Sequence, residues 1–369
     1  MNLLVKILIA LVVFFIALGA IMVFTASGTY SLSRFNSLYF LFKQHFWKVL
    51  AAVVAMYVFS KIPYDKYRSY SKLALIAIII VLALTFVIAP KVKGAQRWIN
   101  LGIIQFQPSE AAKVILIMHL AFMMEKMGDQ IKDFKNGFIF PVIWILAVSG
   151  LVILQPNVST SLIIAMISFS LLYVGGAKFK HIVGILSTTG VLVAGVIMLF
   201  SHSRERVLSY FKSLTTNADI NMQVKQAKIA LGSGGLLGIG VGHSRQSDLF
   251  LPEAYGDFIY SILGEQMGFV GAVAILLLYF VLFITCLIIA KKAQDKFGQL
   301  LVLGLGFNII ISAFVNAAVV TGLVPTTGIT LPFISFGGTS IILFAASIGI
   351  IVNVGRQTVK TTELKIAQV

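Results

Sequence analysis

The residues of this chain that could do chemistry fall into a few short stretches. "LPEAYGDFIYSILGEQMGF" (251–269) puts Asp257 and Glu265 where an apolar run of membrane-span length begins. An ionised carboxylate in or beside hydrocarbon is costly, so both are candidates for function. "KVKGAQRWINLGIIQFQPSEAAK" (91–113) holds Glu110 and Lys113 three residues apart, where one helix face lets them pair. Lys91, Lys93 and Arg97 precede them beside Trp98, a composition suited to lipid headgroups. "GLVPTTGITLPFISFGGTS" (322–340) is apolar yet rich in proline and glycine, as a loop folding back into the membrane face must be. Gly337 and Gly338 stand just ahead of a helix start, where backbone N–H groups suit an anion.

Each stretch also admits a structural reading. Asp257 could satisfy the free N–H groups of a helix N-terminus instead of acting as a base. Glu265, eight residues on and deeper, could be a buried partner for a neighbouring helix. Glu110 and Lys113 could simply neutralise one another, or the pair could aim Lys113 at an anionic substrate. The glycine run "GSGGLLGIGVG" (232–242) has no strand before it, so it reads as a flexible or close-packed loop and not as a dinucleotide site. No Walker A or HExxH motif occurs, and the histidines show no metal-ligand spacing. The single cysteine, Cys286, lies in an apolar run and reads as packing.

The elements that must position these groups are membrane helices. The chain has 369 residues, is 59% hydrophobic and 11% charged, and has a mean hydropathy of +0.97. Ten spans are expected, near 7–26, 43–60, 73–89, 108–124, 137–154, 158–176, 182–200, 258–290, 300–323 and 338–355. The fold class is thus all-α, one polytopic bundle over 1–369 with a single long connection at about 201–257. The first apolar run exceeds a signal-peptide core and reads as a retained span. Lys61, Lys66, Arg68, Lys72, Lys126, Lys132, Lys135, Lys178, Lys180, Lys291, Lys292, Lys296, Arg356, Lys360 and Lys365 all fall on one side. By the positive-inside rule that side is cytoplasmic and holds both termini, which puts Asp257 outside. The net charge of +16 is this orientation signal, not a nucleic-acid footprint. After Asp257 the residues Ser261, Gly264, Gly268 and Gly271 form a small-residue stripe that should face the bundle.

Taken together, "GAQRWINLGIIQFQPSEAAK" (94–113), "GGLLGIGVGHSRQ" (234–246), "LPEAYGDFIYSILGEQMGF" and "GLVPTTGITLPFISFGGTS" resemble the SEDS family of shape, elongation, division and sporulation proteins, in family order across essentially the whole chain. The last motif is nearer the FtsW than the RodA form. The resemblance implies a peptidoglycan glycosyltransferase of the bacterial cytoplasmic membrane. Such an enzyme polymerises lipid II on the outer face, beside a class B penicillin-binding protein and other membrane proteins of the division or elongation complex. It assigns Asp257 as the essential aspartate, Glu110 and Lys113 as a span-four pair, and Arg97 as a loop arginine. Departures occur where Tyr255 and Gly256 precede Asp257, where Ser247 replaces a lysine and leaves Arg245 as the nearby cation, and where Asn157 replaces a carboxylate.

The implied chemistry needs only one carboxylate. A lipid diphosphate leaves without protonation if cations hold it, so the second acid of a glycosidase is dispensable. Asp257 would be the base, with Arg97, Arg245 and Lys113 as diphosphate ligands. A divalent cation is compatible with this scheme, but no ligand motif encodes one. A lipid II flippase and a non-catalytic scaffold of wall enzymes are the rival expectations.

Overall fold

A computed structural model of the chain describes residues 3–90, 96–100, 105–199, 201–216, 221–248 and 250–366. The chain runs through α1 (Leu3–Phe35), α2 (Phe40–Lys61), α3 (Tyr64–Ile88), a two-residue pair of strands β1 (Ile99–Asn100) and β2 (Gln105–Phe106), and α4 (Pro108–Met127). A tight 3-10 turn (Gly128–Lys132) and a π turn (Phe134–Phe138) lead into α5 (Ile139–Leu154), followed by α6 (Val158–Val174) and α7 (Phe179–Leu199). Next come α8 (Ser201–Thr216), α9 (Met222–Ser233), α10 (Ile259–Lys291), α11 (Lys296–Val320) and α12 (Thr339–Ile366). A helix stands on every expected span. Among the described residues, six helices are long and apolar enough to cross a membrane by length and composition. The chain is a multi-pass helical membrane protein. Lys91 and Lys93 lie outside the described residues.

The long spanning helices are apolar nearly all round, so packing and not polarity selects their inner faces. In α1 the buried residues Leu8, Val12, Phe15, Gly19, Met22 and Ala26 recur at alternating steps of four and three, while Val13, Phe14, Ile21 and Phe24 face outward. Phe15 stacks on Tyr279 at 4.2 Å between centroids, and Tyr279 donates its hydroxyl hydrogen to Pro332 O. Gly19 has no room for a side chain, because a Cβ there would lie 2.6 Å from Phe333 O. α1 is thereby a backstop for the 322–338 connection.

The 201–257 connection is more ordered than a plain loop, since it contains α8 and α9. Its glycine run is close-packed. α10 is interrupted at Gly268 (φ 71°, ψ −174°), which breaks the helical ladder inside a membrane helix. The glycine run repairs that break. Ile239 N–H donates to Glu265 O at 3.1 Å and Gly240 N–H to Gln266 O at 3.1 Å; in return Phe269 N–H donates to Gly235 O at 2.9 Å and Val270 N–H to Leu236 O at 3.1 Å. Backbone groups exposed by a helix break in hydrocarbon need such internal partners. The small-residue stripe is correspondingly divided: Asp257 precedes the helix, Gly264 meets Leu231 of α9, and Gly268 is the break itself.

Glycine is obligatory in this seam. Gly238 has φ +84°, and a Cβ would stand 2.2 Å from Gln266 O, so both strain and clash oppose any side chain. Gly238→Ala should destabilise the protein by roughly 3 kcal/mol, combining left-handed strain with the clash. Gly232→Ala, in α9 with nothing within 4 Å of the new methyl, should leave stability unchanged or raise it. Thermal unfolding of the two detergent-purified variants checks the contrast, and equal melting temperatures would contradict the seam.

Candidate active site

The connections on the Asp257 side fold over the bundle and leave a cavity of about 290 Å³ beneath them. Asp257, Arg97, Glu110, Lys113, Gly337 and Gly338 all line it. These residues come from four separated segments, and each segment has its own anchor.

Asp257 sits half-buried one residue before the N-cap of α10. That N-cap is Phe258, and no side chain caps the helix there. The backbone carbonyl of Asp257 accepts a hydrogen bond from Asn316 Nδ2 at 2.7 Å, and the same amide nitrogen donates to Ile329 O at 2.7 Å. One buried side chain of α11 thus ties the aspartate segment to the 322–338 connection. A second tie runs directly between the two segments, from Phe336 N–H to Tyr255 O at 2.9 Å. The Asp257 carboxylate faces Gly328, whose Cβ, if present, would approach Oδ2 at 3.7 Å. Burial, then the nearby Glu253, Tyr30 and Asp257, push the Tyr255 hydroxyl well above the ordinary tyrosine range, so it remains a neutral hydrogen-bonding group.

Glu110 and Lys113 occupy the first turns of α4, which begins with Pro108 at a position where its missing N–H costs nothing. Their side chains pair at 2.8 Å and are 12% and 3% exposed. The two readings of this pair are not exclusive: the ions neutralise one another and both border the cavity. Lys113 Nζ also lies 5.7 Å from the Phe344 ring centre on α12. Arg97 is held on the opposite wall by the turn between α5 and α6, where its Nε donates to Gln155 O at 3.3 Å and an Nη to Pro156 O. Two fixed donors set the plane of a guanidinium, which is how an arginine is preorganised for an anion.

Gly337 and Gly338 immediately precede α12. Thr339 fastens this helix start to the strand pair, donating to Gln105 O at 3.0 Å and accepting from Gln107 N–H at 2.9 Å. A Cβ on Gly338 would lie 3.3 Å from Gln105 O, so the approach depends on glycine there.

Two expected residues take other places. Arg245 is exposed and is not among the cavity-lining residues; its backbone N–H donates to Glu265 Oε1 at 3.2 Å. Glu265 is buried and accepts from Ser244 Oγ, from Ser233 Oγ at 3.4 Å and from Gln246 N–H at 3.4 Å. Its carboxylate organises the 244–246 turn, in keeping with the structural reading.

Sequence reasoning did not single out Asn316, Thr339, Gln223 or Glu253. Asn316 carried a usable signal, being an amide inside the apolar run "ISAFVNAAVV", where a polar side chain must find partners. Glu253 lay four residues before Asp257 in a stretch already under scrutiny and lines the same cavity. Among the described residues, no group of three or more His, Cys, Asp or Glu is placed to hold a metal ion.

A second, larger space of about 610 Å³ adjoins this one between α6 and α11. Arg97, Asn157, Thr327 and Ile329 border both spaces, while Leu162, Met166, Phe314 and Val315 make the larger one apolar. A small charged cavity sharing four wall residues with an apolar groove defines a membrane protein whose adjoining spaces suit the polar and apolar parts of an amphipathic ligand.

Comparison with known proteins narrows this class. The family model described as "Cell cycle protein" (FTSW_RODA_SPOVE) matches residues 5–360, and the chain belongs to that family. It is 36% identical over 339 residues to the probable peptidoglycan glycosyltransferase FtsW of Geobacter sp. (strain M18), covering 91% of this chain and 92% of that protein. It is 33% identical over 356 residues to the stage V sporulation protein E of Bacillus subtilis (strain 168), covering 95% and 96%. A solved chain from a peptidoglycan synthase complex that coordinates polymerization and crosslinking superposes with a TM-score of 0.77 at 25% identity, covering 95% and 97%. The rod shape determining protein RodA of Thermus thermophilus shares the fold, with a TM-score of 0.70 at 24% identity over 95% and 96%.

The Glu110–Lys113 pair yields a stability test. Removing one partner strands a buried charge, whereas removing both does not. Lys113→Met should cost about 3 kcal/mol, and the double variant Glu110→Gln/Lys113→Met should recover a substantial part of it. A double-mutant cycle by chemical or thermal unfolding reads the coupling directly, and strictly additive losses would show that the pair is not coupled.

Proposed function

We propose that this chain is a peptidoglycan glycosyltransferase that polymerises lipid II into β-1,4 glycan strands. The observation that carries the reading is the convergence of Asp257, Arg97 and Lys113 on one small cavity that shares four wall residues with an apolar groove. Family membership and the names of the relatives support the same activity.

In this reading Asp257 is the general base. Its carboxylate takes the proton from the 4-hydroxyl of the acceptor N-acetylglucosamine as that oxygen attacks the anomeric carbon of the donor N-acetylmuramic acid. The bond from that carbon to the diphosphate oxygen breaks, the α linkage becomes β, and undecaprenyl diphosphate leaves with the bonding electrons. Arg97 and Lys113 stabilise the charge that develops on the diphosphate. The apolar groove beside Arg97 receives the polyprenyl tail and keeps the diphosphate at the membrane boundary. Glu110 orients Lys113 through their ion pair and does not touch the reacting atoms. The backbone N–H groups around Gly337 and Gly338 are a further place for phosphate oxygens. Arg245 belongs to the rim beyond the cavity.

The lysine and arginine distribution supports a cytoplasmic-membrane location with both termini in the cytoplasm and the Asp257 cavity on the outer face. The likeness to a peptidoglycan synthase complex supports a crosslinking partner, a class B penicillin-binding protein, with other membrane proteins of the division or elongation machinery.

Purified protein given labelled lipid II should make glycan chains resolvable on a gel. Asp257→Ala and Asp257→Asn should each lower the rate by at least about a hundredfold, the range of a missing general base, while melting within a few degrees of the parent. Full activity in either variant would remove Asp257 from the mechanism; lipid movement across vesicles without product would favour a flippase. Arg97→Ala should slow polymerisation by about tenfold or more, because a cation aimed at the leaving diphosphate is lost.

A further inference from the structure

The other end of the bundle carries a second site. A space of about 740 Å³ lies between the ends of α3, α4 and α5 remote from Asp257. Lys72 and Lys126 stand on its wall, Phe122, Phe140, Ile143 and Trp144 make it apolar, and Gln130 and Asn136 add polar groups. Lys126 follows Lys113 by thirteen residues of one helix, which separates this site from the catalytic pair by about 20 Å along the bundle.

Among the described residues, no acidic side chain offsets the charge here. No aspartate or glutamate lines the space, and neither lysine has an ion-pair partner among the described residues. The nearby carboxylates are committed elsewhere. Glu125 pairs with Arg68 at 3.2 Å and accepts from Phe297 N–H at 3.2 Å. Asp129 pairs with Lys132 at 2.6 Å, and Asp133 accepts from the N–H groups of Lys135 and Asn136. His119 on the wall is buried, lies within 3.4 Å of Ser71 Oγ and packs edge-on against Trp144 at 5.5 Å, so the apolar side is rigid. Two uncompensated lysines at the mouth of an aromatic-lined space at a helix-bundle end match the two halves of a charged lipid.

We propose that this is a binding site for an anionic glycerophospholipid of the leaflet opposite the Asp257 cavity, the phosphate on Lys72 and Lys126 and an acyl chain along Phe140, Ile143 and Trp144. Phosphatidylglycerol is the simplest lipid of this kind. A zwitterionic headgroup brings its own cation against the lysines and is disfavoured. An acidic peptide would satisfy the lysines but leave the aromatic wall without a matching chain.

Trp144 is a built-in reporter. In full-length protein with Trp47→Phe and Trp98→Phe, purified in detergent, acyl-brominated phosphatidylglycerol should quench Trp144 at concentrations about ten- to thirtyfold lower than brominated phosphatidylcholine, the preference two surface lysines supply. Lys72→Gln/Lys126→Gln should abolish the preference, and Lys72→Arg/Lys126→Arg should keep it. Lys132→Gln/Lys135→Gln removes two lysines outside the space and should also keep it. Melting curves establish that each variant is folded. Equal quenching by the two lipids overturns the proposal. So does an equal loss of preference in the Lys132/Lys135 variant, which would mean diffuse surface attraction. Displacement of the brominated lipid by equimolar soluble oligoglutamate would overturn it too, and would reassign the face to a protein partner.

Discussion

Two carbonyl oxygens, those of Asp257 and Ile329, converge on the side-chain amide of Asn316, and the geometry of the Asp257 cavity follows from that convergence. Both carbonyls belong to irregular backbone at the edge of a hydrocarbon environment, where an unpaired acceptor is expensive. A single buried amide satisfies both at once. It also couples them: the aspartate segment cannot shift without the 322–338 connection following. The tie from Phe336 to Tyr255 and the Thr339 link to the strand pair extend the same logic around the cavity. The backbone of the aspartate segment is thereby held in place at both Asp257 and Tyr255.

The interrupted α10 obeys the same rule. Breaking a membrane helix exposes backbone groups, and the 235–240 segment supplies partners for them. The glycines there are small because two backbones meet face to face, with Gly234 and Gly238 each within contact of the carbonyls on α10. Glu265 then turns the chain out of this seam toward Ser244 and Arg245. Its burial reflects building work rather than catalysis.

Much of this was legible in the sequence because apolar runs of span length leave little choice of structure. Every expected span became a helix. Asp257, Arg97, Glu110 and Lys113 stood out because charge is rare in such a chain. What was not legible depended on distance between segments. Nothing local to Asn316 says that its amide reaches two carbonyls 59 and 13 residues away. Periodicity carried the small-residue stripe through Gly268, because a helical repeat cannot announce where the helix stops. Arg245 was assigned to the site through the family resemblance, yet in the turn fixed by Glu265 it stands exposed, outside the cavity lining.

The shared wall between the small charged cavity and the apolar groove has one more consequence. Arg97, Asn157, Thr327 and Ile329 each present one side to either space. A neutral hydrocarbon molecule lying in the groove would touch four residues that also border the cavity of Asp257.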